Sequence, residues 1–417
     1  MPGGRVRVLF IAEAVTLAHV ARPAALAAAL DPARYELHFA HCPRYRDLLG
    51  QLPGQEHTLE SISPAQFNAA LARGAPLYDL DTLDAYVAAD RALLQRLRPD
   101  VVVGDFRLSL AVSARLAGVP HVALANACWS PYVRQRYPVP DLPLSRALGP
   151  RLAQPLFSLG RPLAFAAHCL PMRALCRRHG LPAPGLDLRR VYSAGDYTLY
   201  ADLPGLYDMA PLPDTHRFIG PVAWSPAGVK PGWWDEVPAD LPAVYVTPGS
   251  SGAADLLPPV LAALADLPLV ALVATAGAAL PHTLPRNVFA APFLPGEDAA
   301  RRAAVVVCNG GSPTTHQALA RGRPVLGIPG NLDQHLNMRT LTRAGAGLAL
   351  RAERLDAHAV AASLRRLLEQ PRFGERAAQL AADMARCQGA QRFCQFMDDP
   401  AAPWSRPLTT DRSTRHA

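Results

Sequence analysis

The sequence predicts an α/β chain made of two doubly wound parallel-sheet domains. Three observations predict it. Short apolar runs rich in Val, Leu and Ile alternate with stretches of helical periodicity, the pattern of successive βαβ units. A Pro- and Gly-rich segment with three tryptophans, WSPAGVKPGWWDEVPAD at 224–240, separates two such series. A chain of 417 residues also exceeds one typical core, so two domains are expected.

In the first series, residues 6–12 read as an apolar strand and 13–18 as a turn. A helix starts at His19-Val20-Ala21-Arg22-Pro23 and runs to Leu30, since Pro is tolerated in a first turn. Residues 35–41 alternate as a second strand, and 57–61 give a possible third. Helical stretches follow at 64–72 and 82–97. The run Asp100-Val101-Val102-Val103-Gly104-Asp105 is a buried strand that ends on a carboxylate. A helix at 109–117 stops at Gly118-Val119-Pro120, and a strand follows at 121–126. Residues 127–190 break the pattern with Pro, Arg and aromatic residues, and read as loops and helices inserted into the sheet domain. Such insertions often carry substrate choice, so Trp129 and Tyr132 are candidate acceptor contacts. Short strands at 197–201 and 217–222 close a first domain, 1–222, and a linker covers 223–241.

The second series opens with a strand at 243–247 that enters Pro248-Gly249-Ser250-Ser251-Gly252 and a helix at 255–265. Strands are expected at 269–275 and 287–293, and a short helix at 297–303. Residues 304–338 then form the most informative stretch of the chain. A buried strand at 304–308 meets the turn Asn309-Gly310-Gly311-Ser312, and a helix opens at Thr314-Thr315. A strand at 324–329 follows, and Asn331-Leu332-Asp333-Gln334 starts another helix. A Gly-rich turn entering a helix turns backbone N–H groups and the positive end of the helix dipole toward one point, which suits a phosphate. Ligands of open α/β sheets collect at the carboxyl ends of the strands, so both turns can serve one anion or nucleotide site. A strand at 347–351 and helices at 356–370 and 373–396 complete the second domain, 242–385. A terminal helix at 386–400 is expected to pack back on the first domain, and 401–417 to be loose.

Composition narrows the function classes. The net charge is +8, but Lys230 is the only lysine, so 42 − 1 = 41 basic residues are Arg, a bias that suggests a GC-rich bacterial genome. The arginines are spread out, with no dense block suited to nucleic acid. Seven cysteines without a CxxC pair fit a reduced, cytoplasmic chain and give no metal-ligand spacing. No apolar run reaches the length of a membrane span, and Glu13 and His19 interrupt the N-terminal run that could pass for a signal peptide. Arginines mixed with apolar residues at 134–178 fit peripheral contact with a membrane surface or a lipid-like acceptor; a packed insert with solvated arginines fits them too.

His19 and Asp105 each follow a parallel strand, so both belong at the carboxyl edge of the first sheet. A His held by a buried carboxylate keeps one tautomer and can take a proton from a hydroxyl. Taken singly, each residue also fits an ordinary helix cap or turn; the joint placement is what points to chemistry.

Residues 304–338 resemble the donor-binding signature of GT-B glycosyltransferases, in particular the UDP-glycosyltransferases and the antibiotic and rhamnolipid glycosyltransferases. The resemblance runs through Asn309-Gly310-Gly311, Ser312-Pro313-Thr314-Thr315, Ala318-Leu319, Gly322-Arg323-Pro324, and Asp333-Gln334 with Asn337. Residues 244–251 resemble the strand and turn under the diphosphate, Phe293-Leu294-Pro295 the contact to the nucleotide base, and Phe218-Ile219-Gly220-Pro221 the end of the first domain. Ala18-His19-Val20 resembles the turn bearing the base, and Gly104-Asp105-Phe106 the strand end bearing its partner.

The resemblance implies two Rossmann-like domains facing across a cleft, and a metal-independent, inverting hexosyl transfer from a nucleotide sugar to a hydroxyl of a small apolar or lipid-like acceptor. It needs no cofactor, the nucleotide sugar being a co-substrate. It implies that His19 is the base, that Asp105 orients it, and that Ser250, Ser251, Ser312 and Thr314 hold the diphosphate. By the same resemblance Phe293 and Leu294 meet the nucleotide base, and Asp333 and Gln334 bind sugar hydroxyls. Asn309 stands where the family has His, which leaves His316 to assist the phosphates, and it shares the diphosphate turn with Gly311. Pro313 removes one N–H from that turn. Gln317 stands where many UDP-sugar enzymes place a ribose-binding Glu, so UDP or dTDP donors are expected, UDP first. The other readings are a nucleotide-sugar hydrolase or epimerase of the same fold, and a catalytically silent nucleotide-sugar-binding protein.

Overall fold

Seven parallel strands form the first sheet: β1 (Val6–Ala12), β2 (Tyr35–His41), β3 (Gln55–Thr58), β4 (Val101–Asp105), β5 (His121–Ala125), β6 (Tyr197–Tyr200) and β7 (His216–Phe218). Their order is β3-β2-β1-β4-β5-β6-β7. Six more parallel strands form the second: β8 (Ala243–Thr247), β9 (Val270–Ala274), β10 (Val288–Ala291), β11 (Ala303–Cys308), β12 (Val325–Gly327) and β13 (Gly347–Ala349), in the order β10-β9-β8-β11-β12-β13. This is a computed structural model, and it describes residues 5–225, 230–249, 256–280 and 283–405.

Helices cover both faces of each sheet. In the first domain they are α1 (Leu17–Ala28), α2 (Arg46–Leu49), α3 (Pro64–Arg73), α4 (Leu80–Leu97), α5 (Leu110–Ala117), α6 (Pro143–Arg178) and α7 (Leu188–Tyr192). In the second they are α8 (Leu257–Ala265), α9 (Gly296–Arg302), α10 (Ser312–Ala320), α11 (Leu332–Arg343), α12 (Ala357–Glu369) and α13 (Pro371–Cys387), followed by α14 (Gly389–Met397). Central strands are apolar along most of their length because both faces are covered. In β1, Val8 and Phe10 enter one core layer, and Leu9 and Ile11 the other. In β8, Tyr245 and Val246 divide between two layers in the same way.

Two features differ from the sequence reading. His19 lies inside α1, which begins two residues earlier at Leu17. The insert is dominated by one long element, α6, broken only at Gly149 (φ 73°). Its prolines hid it: Pro150 starts the segment after the break, where a missing N–H costs little, and Pro155, Pro162 and Pro171 lie within the helix. The terminal helix α14 returns to the first sheet, where Phe393 is fully buried 6.1 Å from Phe10.

The turn after β1 is fixed by a buried ion network. Arg107 donates to Glu13 at 2.8 Å and to Asp90 at 3.0 and 3.1 Å, and its guanidinium lies 3.6 Å over the Tyr86 ring. Tyr86 donates to the other Glu13 oxygen at 3.0 Å. Burial raises the Glu13 carboxyl above its ordinary value, against the pull of Arg107. Breaking such a set leaves two buried carboxylates uncompensated, so Arg107→Leu should destabilise the fold by about 3–5 kcal/mol. Urea unfolding checks this; a change within about 0.5 kcal/mol would show that the network is not needed.

Candidate active site

Each sheet reverses its strand order once, and each reversal opens a crevice at the carboxyl ends of its strands. In the first sheet the reversal lies between β1 and β4, with Ala12 in register with Asp105. His19, in the first turn of α1, donates from Nδ1 to Asp105 Oδ1 at 2.8 Å. That bond fixes the tautomer and leaves Nε2 as the acceptor nitrogen. Phe106 follows with φ 58°, a left-handed conformation that costs about 1–2 kcal/mol for a non-glycine residue. Its ring stacks on His19 at 4.7 Å and 13°.

Asp105 also serves Arg22, which the sequence reading left out. Arg22 binds it bidentately, Nε to Oδ2 at 2.6 Å and Nη2 to Oδ1 at 2.8 Å. Burial acts to raise the Asp105 pKa, but the Arg22 charge and the hydrogen bonds from His19 and Arg22 prevail and hold it below 3.8. Arg22 Nη1 also donates to Asn126 Oδ1 at 2.6 Å, and Asn126 Nδ2 donates to Ser312 Oγ at 3.1 Å. One chain of hydrogen bonds therefore links the first domain's carboxylate to the start of α10 in the second. His19 and Arg22 stand three apart on one helix, a spacing that could have flagged the pair.

In the second sheet the reversal lies between β8 and β11, where Thr247 is in register with Cys308. The Gly-rich turn follows β11. Gly310 has φ 79°, and a Cβ there would come within 2.4 Å of Met338, so the position needs glycine twice over. Asn309 is 3% exposed, accepts from the Gly311 N–H at 3.0 Å and packs against Gly249, tying the two turns together. Asn337 clamps the turn from α11, donating to Gly310 O at 2.7 Å and to Thr315 Oγ1 at 2.9 Å.

A cavity of about 910 Å³ lies between the two sheets. Its wall includes Arg22 from α1, Phe293, and Ser312, Thr314 and Gln317 from α10. Phe293 is 46% exposed and offers a ring face; Leu294 is 4% exposed, belongs to the second domain's core and also reaches the cavity wall. Ser250 and Ser251 lie outside the described residues.

Three expected contacts are placed differently. Asp333 is absent from the cavity wall; its Oδ1 accepts the Trp129 indole N–H at 2.7 Å across the interface. Burial raises the Asp333 carboxyl, partly offset by that bond and by the nearness of His19. Gln334 turns its Oε1 to the Gly330 and Asn331 N–H groups at 3.0 and 3.4 Å, capping its own helix. His316 stays on the cavity wall as expected, and its Nε2 also sits 3.3 Å from Asp202, a buried carboxylate after β6. Tyr132 joins His216 at 5.1 Å, in a different aromatic group from Trp129. Trp129 instead belongs to a series of rings that reaches His19: Trp129 to Tyr192 at 4.9 Å, Tyr192 to Phe106 at 5.3 Å, then Phe106 to His19. Among the described residues, no group of three His, Cys, Asp or Glu side chains could hold a metal ion.

Comparison with known proteins gives the chain's relatives. Residues 257–391 match the family described as Erythromycin biosynthesis protein CIII-like, C-terminal domain. A PGL/p-HBAD biosynthesis glycosyltransferase of Mycobacterium tuberculosis is 53% identical over 377 residues, covering 90% of this chain and 88% of the relative. A PGL/p-HBAD biosynthesis rhamnosyltransferase of Mycobacterium bovis is also 53% identical over 377 residues, covering 90% and 84%. Among solved structures, a glycotransferase of kitacinnamycin matches with a TM-score of 0.70 at 19% identity, over 94% of this chain and 98% of that one. The spinosyn rhamnosyltransferase SpnG complexed with thymidine diphosphate matches with a TM-score of 0.65 at 20% identity, over 94% and 100%.

The shared carboxylate gives a pH signature. Asp105 has a folded pKa below 3.8, so its contribution is fully present above that value and is lost as pH falls through the lower, folded pKa. Asp105→Asn, which leaves the Arg22 charge uncompensated, should cost about 3–5 kcal/mol at neutral pH. The gap to the parent should narrow in unfolding experiments below about pH 3.8. A gap of constant size across that range would remove the carboxylate from this role.

Proposed function

The chain belongs to the GT-B nucleotide-sugar-dependent glycosyltransferases, and from that premise we propose an inverting transfer of a deoxyhexosyl group. The donor is a dTDP- or UDP-sugar, and the acceptor is a hydroxyl on an aromatic or lipid-like molecule of the kind handled in PGL/p-HBAD biosynthesis. The observation that carries this reading is the His19–Asp105 pair, 2.8 Å apart at the crevice that faces α10. A protein that only bound the nucleotide sugar would have no use for an oriented base there.

In this reading His19 Nε2 takes the acceptor proton as the acceptor oxygen attacks the anomeric carbon. The bond from that carbon to the diphosphate breaks on the opposite face, which inverts the configuration. Charge develops on the leaving diphosphate at the N-terminus of α10, where backbone N–H groups and the helix dipole stabilise it without a metal. Thr314 stands in the first turn of that helix and Gln317 one turn on, both on the cavity wall. The exposed Phe293 ring suits stacking of the nucleotide base.

Three findings support the substrates. Relatives at 53% identity carry the names of a PGL/p-HBAD biosynthesis glycosyltransferase and a PGL/p-HBAD biosynthesis rhamnosyltransferase. A structure of the same fold holds thymidine diphosphate. The rings from Trp129 to Phe106 give an apolar, aromatic approach to His19, which suits a phenol or a lipid-linked hydroxyl.

His19→Ala should lower turnover about a hundredfold to ten-thousandfold while the protein still binds dTDP and UDP in a thermal-shift assay. Loss of nucleotide binding would instead make His19 part of the donor site. Gln317→Glu should move donor preference toward ribonucleotides, because a carboxylate can accept from both ribose hydroxyls and an amide has one acceptor oxygen. An unchanged ratio of UDP-sugar to dTDP-sugar turnover would take Gln317 away from the ribose.

A further inference from the structure

The outer face of α6 carries a ridge of leucines that neither the core nor the cavity uses. Leu152, Leu156, Leu159, Leu163 and Leu170 are 66, 51, 81, 77 and 53% exposed. Steps of four, three, four and seven residues keep all five on one narrow stripe. The positions beside the stripe are Pro155, Gly160, Pro162, Ala166 and Ala167, so the apolar band is broad and uncharged. Single exposed leucines are ordinary on a soluble protein, but a contiguous apolar band marks an interaction surface. The opposite face of the same helix is core, with Cys169, Met172, Leu175 and Cys176 buried.

We propose that this ridge docks the protein on an anionic lipid surface. Charge is the first argument. The 36 residues of α6 contain no Asp or Glu, and its arginines include the exposed Arg151 and Arg177, one near each end of the ridge. An apolar face with basic residues around it is the make-up of a helix lying in a membrane interface. The flanks are the second argument. A helix that pairs with a second copy or another protein carries charged residues beside its seam to set partner and register; here the flanks are proline, glycine and alanine. Position is the third. The inner side of α6 supplies Phe165, 6.4 Å from Trp129, which starts the series of rings leading to His19. Docking through this ridge leaves only the thickness of α6 between that series and the lipid. No helix among the described residues is long and apolar enough to cross a membrane, so the contact is interfacial.

The test uses the full chain with vesicles of phosphatidylcholine and phosphatidylglycerol in equal amounts, and with vesicles of phosphatidylcholine alone. The parent protein should sediment with the anionic vesicles and far less with the neutral ones. The double variant L159S/L163S should bind the anionic vesicles at least about tenfold more weakly, since two exposed leucines lose their apolar contact. The variant R151Q/R177Q should lose the preference for anionic vesicles and much of the salt dependence. Both variants should keep the parent's unfolding midpoint and its thermal shift with dTDP. The proposal is overturned if the parent stays in the supernatant with both compositions, or binds both equally. It is also overturned if ultracentrifugation shows a parent dimer that L159S/L163S makes monomeric, which would assign the ridge to a second copy. Vesicle binding is read without any glycosyl transfer, so failure here leaves the transferase reading standing, and the reverse.

Discussion

A single buried carboxylate sets the arrangement of the cleft. Asp105 is fully buried, and a carboxylate in that position is tolerable only with partners that meet its charge and its lone pairs. Arg22 meets the charge in bidentate geometry, and His19 takes the remaining bond. Because Arg22 also reaches Asn126, and Asn126 reaches Ser312, the group that orients the base also registers one domain against the other. Base orientation and domain approach are one hydrogen-bonded system.

The second domain answers with polar groups of its own. Asp333 receives the Trp129 indole, and His316 faces Asp202. The residues around the donor turn are thus engaged with the first domain in this arrangement. Both sheets also bring their strand reversal to the interface, so the two crevices open on the same space. The topology supplies the location, and the polar pairs set the distance.

Much of this was legible in the sequence, and what was not has physical reasons. Runs such as 101–104 and 303–308 are apolar at every position, and only a strand covered on both faces asks for that. His19 and Asp105 were found because strand ends in an open α/β sheet locate side chains without further information. Asp202 sits at the end of β6 and had the same signal, unused. Arg22 and Asn126 were missed because an arginine in a helix and an asparagine after a strand look ordinary until a buried acid is placed between them. Gln334 was given a sugar, yet Asn331 three residues before it already spelled a capping box. Tyr132 shows the same limit: sequence locates a side chain on an element but not the direction it points. In 134–178 the mixture of arginine and leucine was visible, but prolines concealed the helix, and without the helix the leucines had no common face.

The return of α14 to the first sheet has a consequence for motion. The chain crosses between the domains twice, once after Gly220 and once at 387–389, and the two crossings touch. A Cβ on Gly220 would lie 2.8 Å from Cys387 Cβ, and one on Gly389 would lie 2.5 Å from the Pro221 carbonyl oxygen. A single covalent tether would let the domains swivel in any direction. Two tethers laid side by side, with no room for a side chain between them, remove most of that freedom and leave rotation about one axis. The cleft can then widen or narrow like a book on its spine, and whatever enters or leaves does so along its free edge.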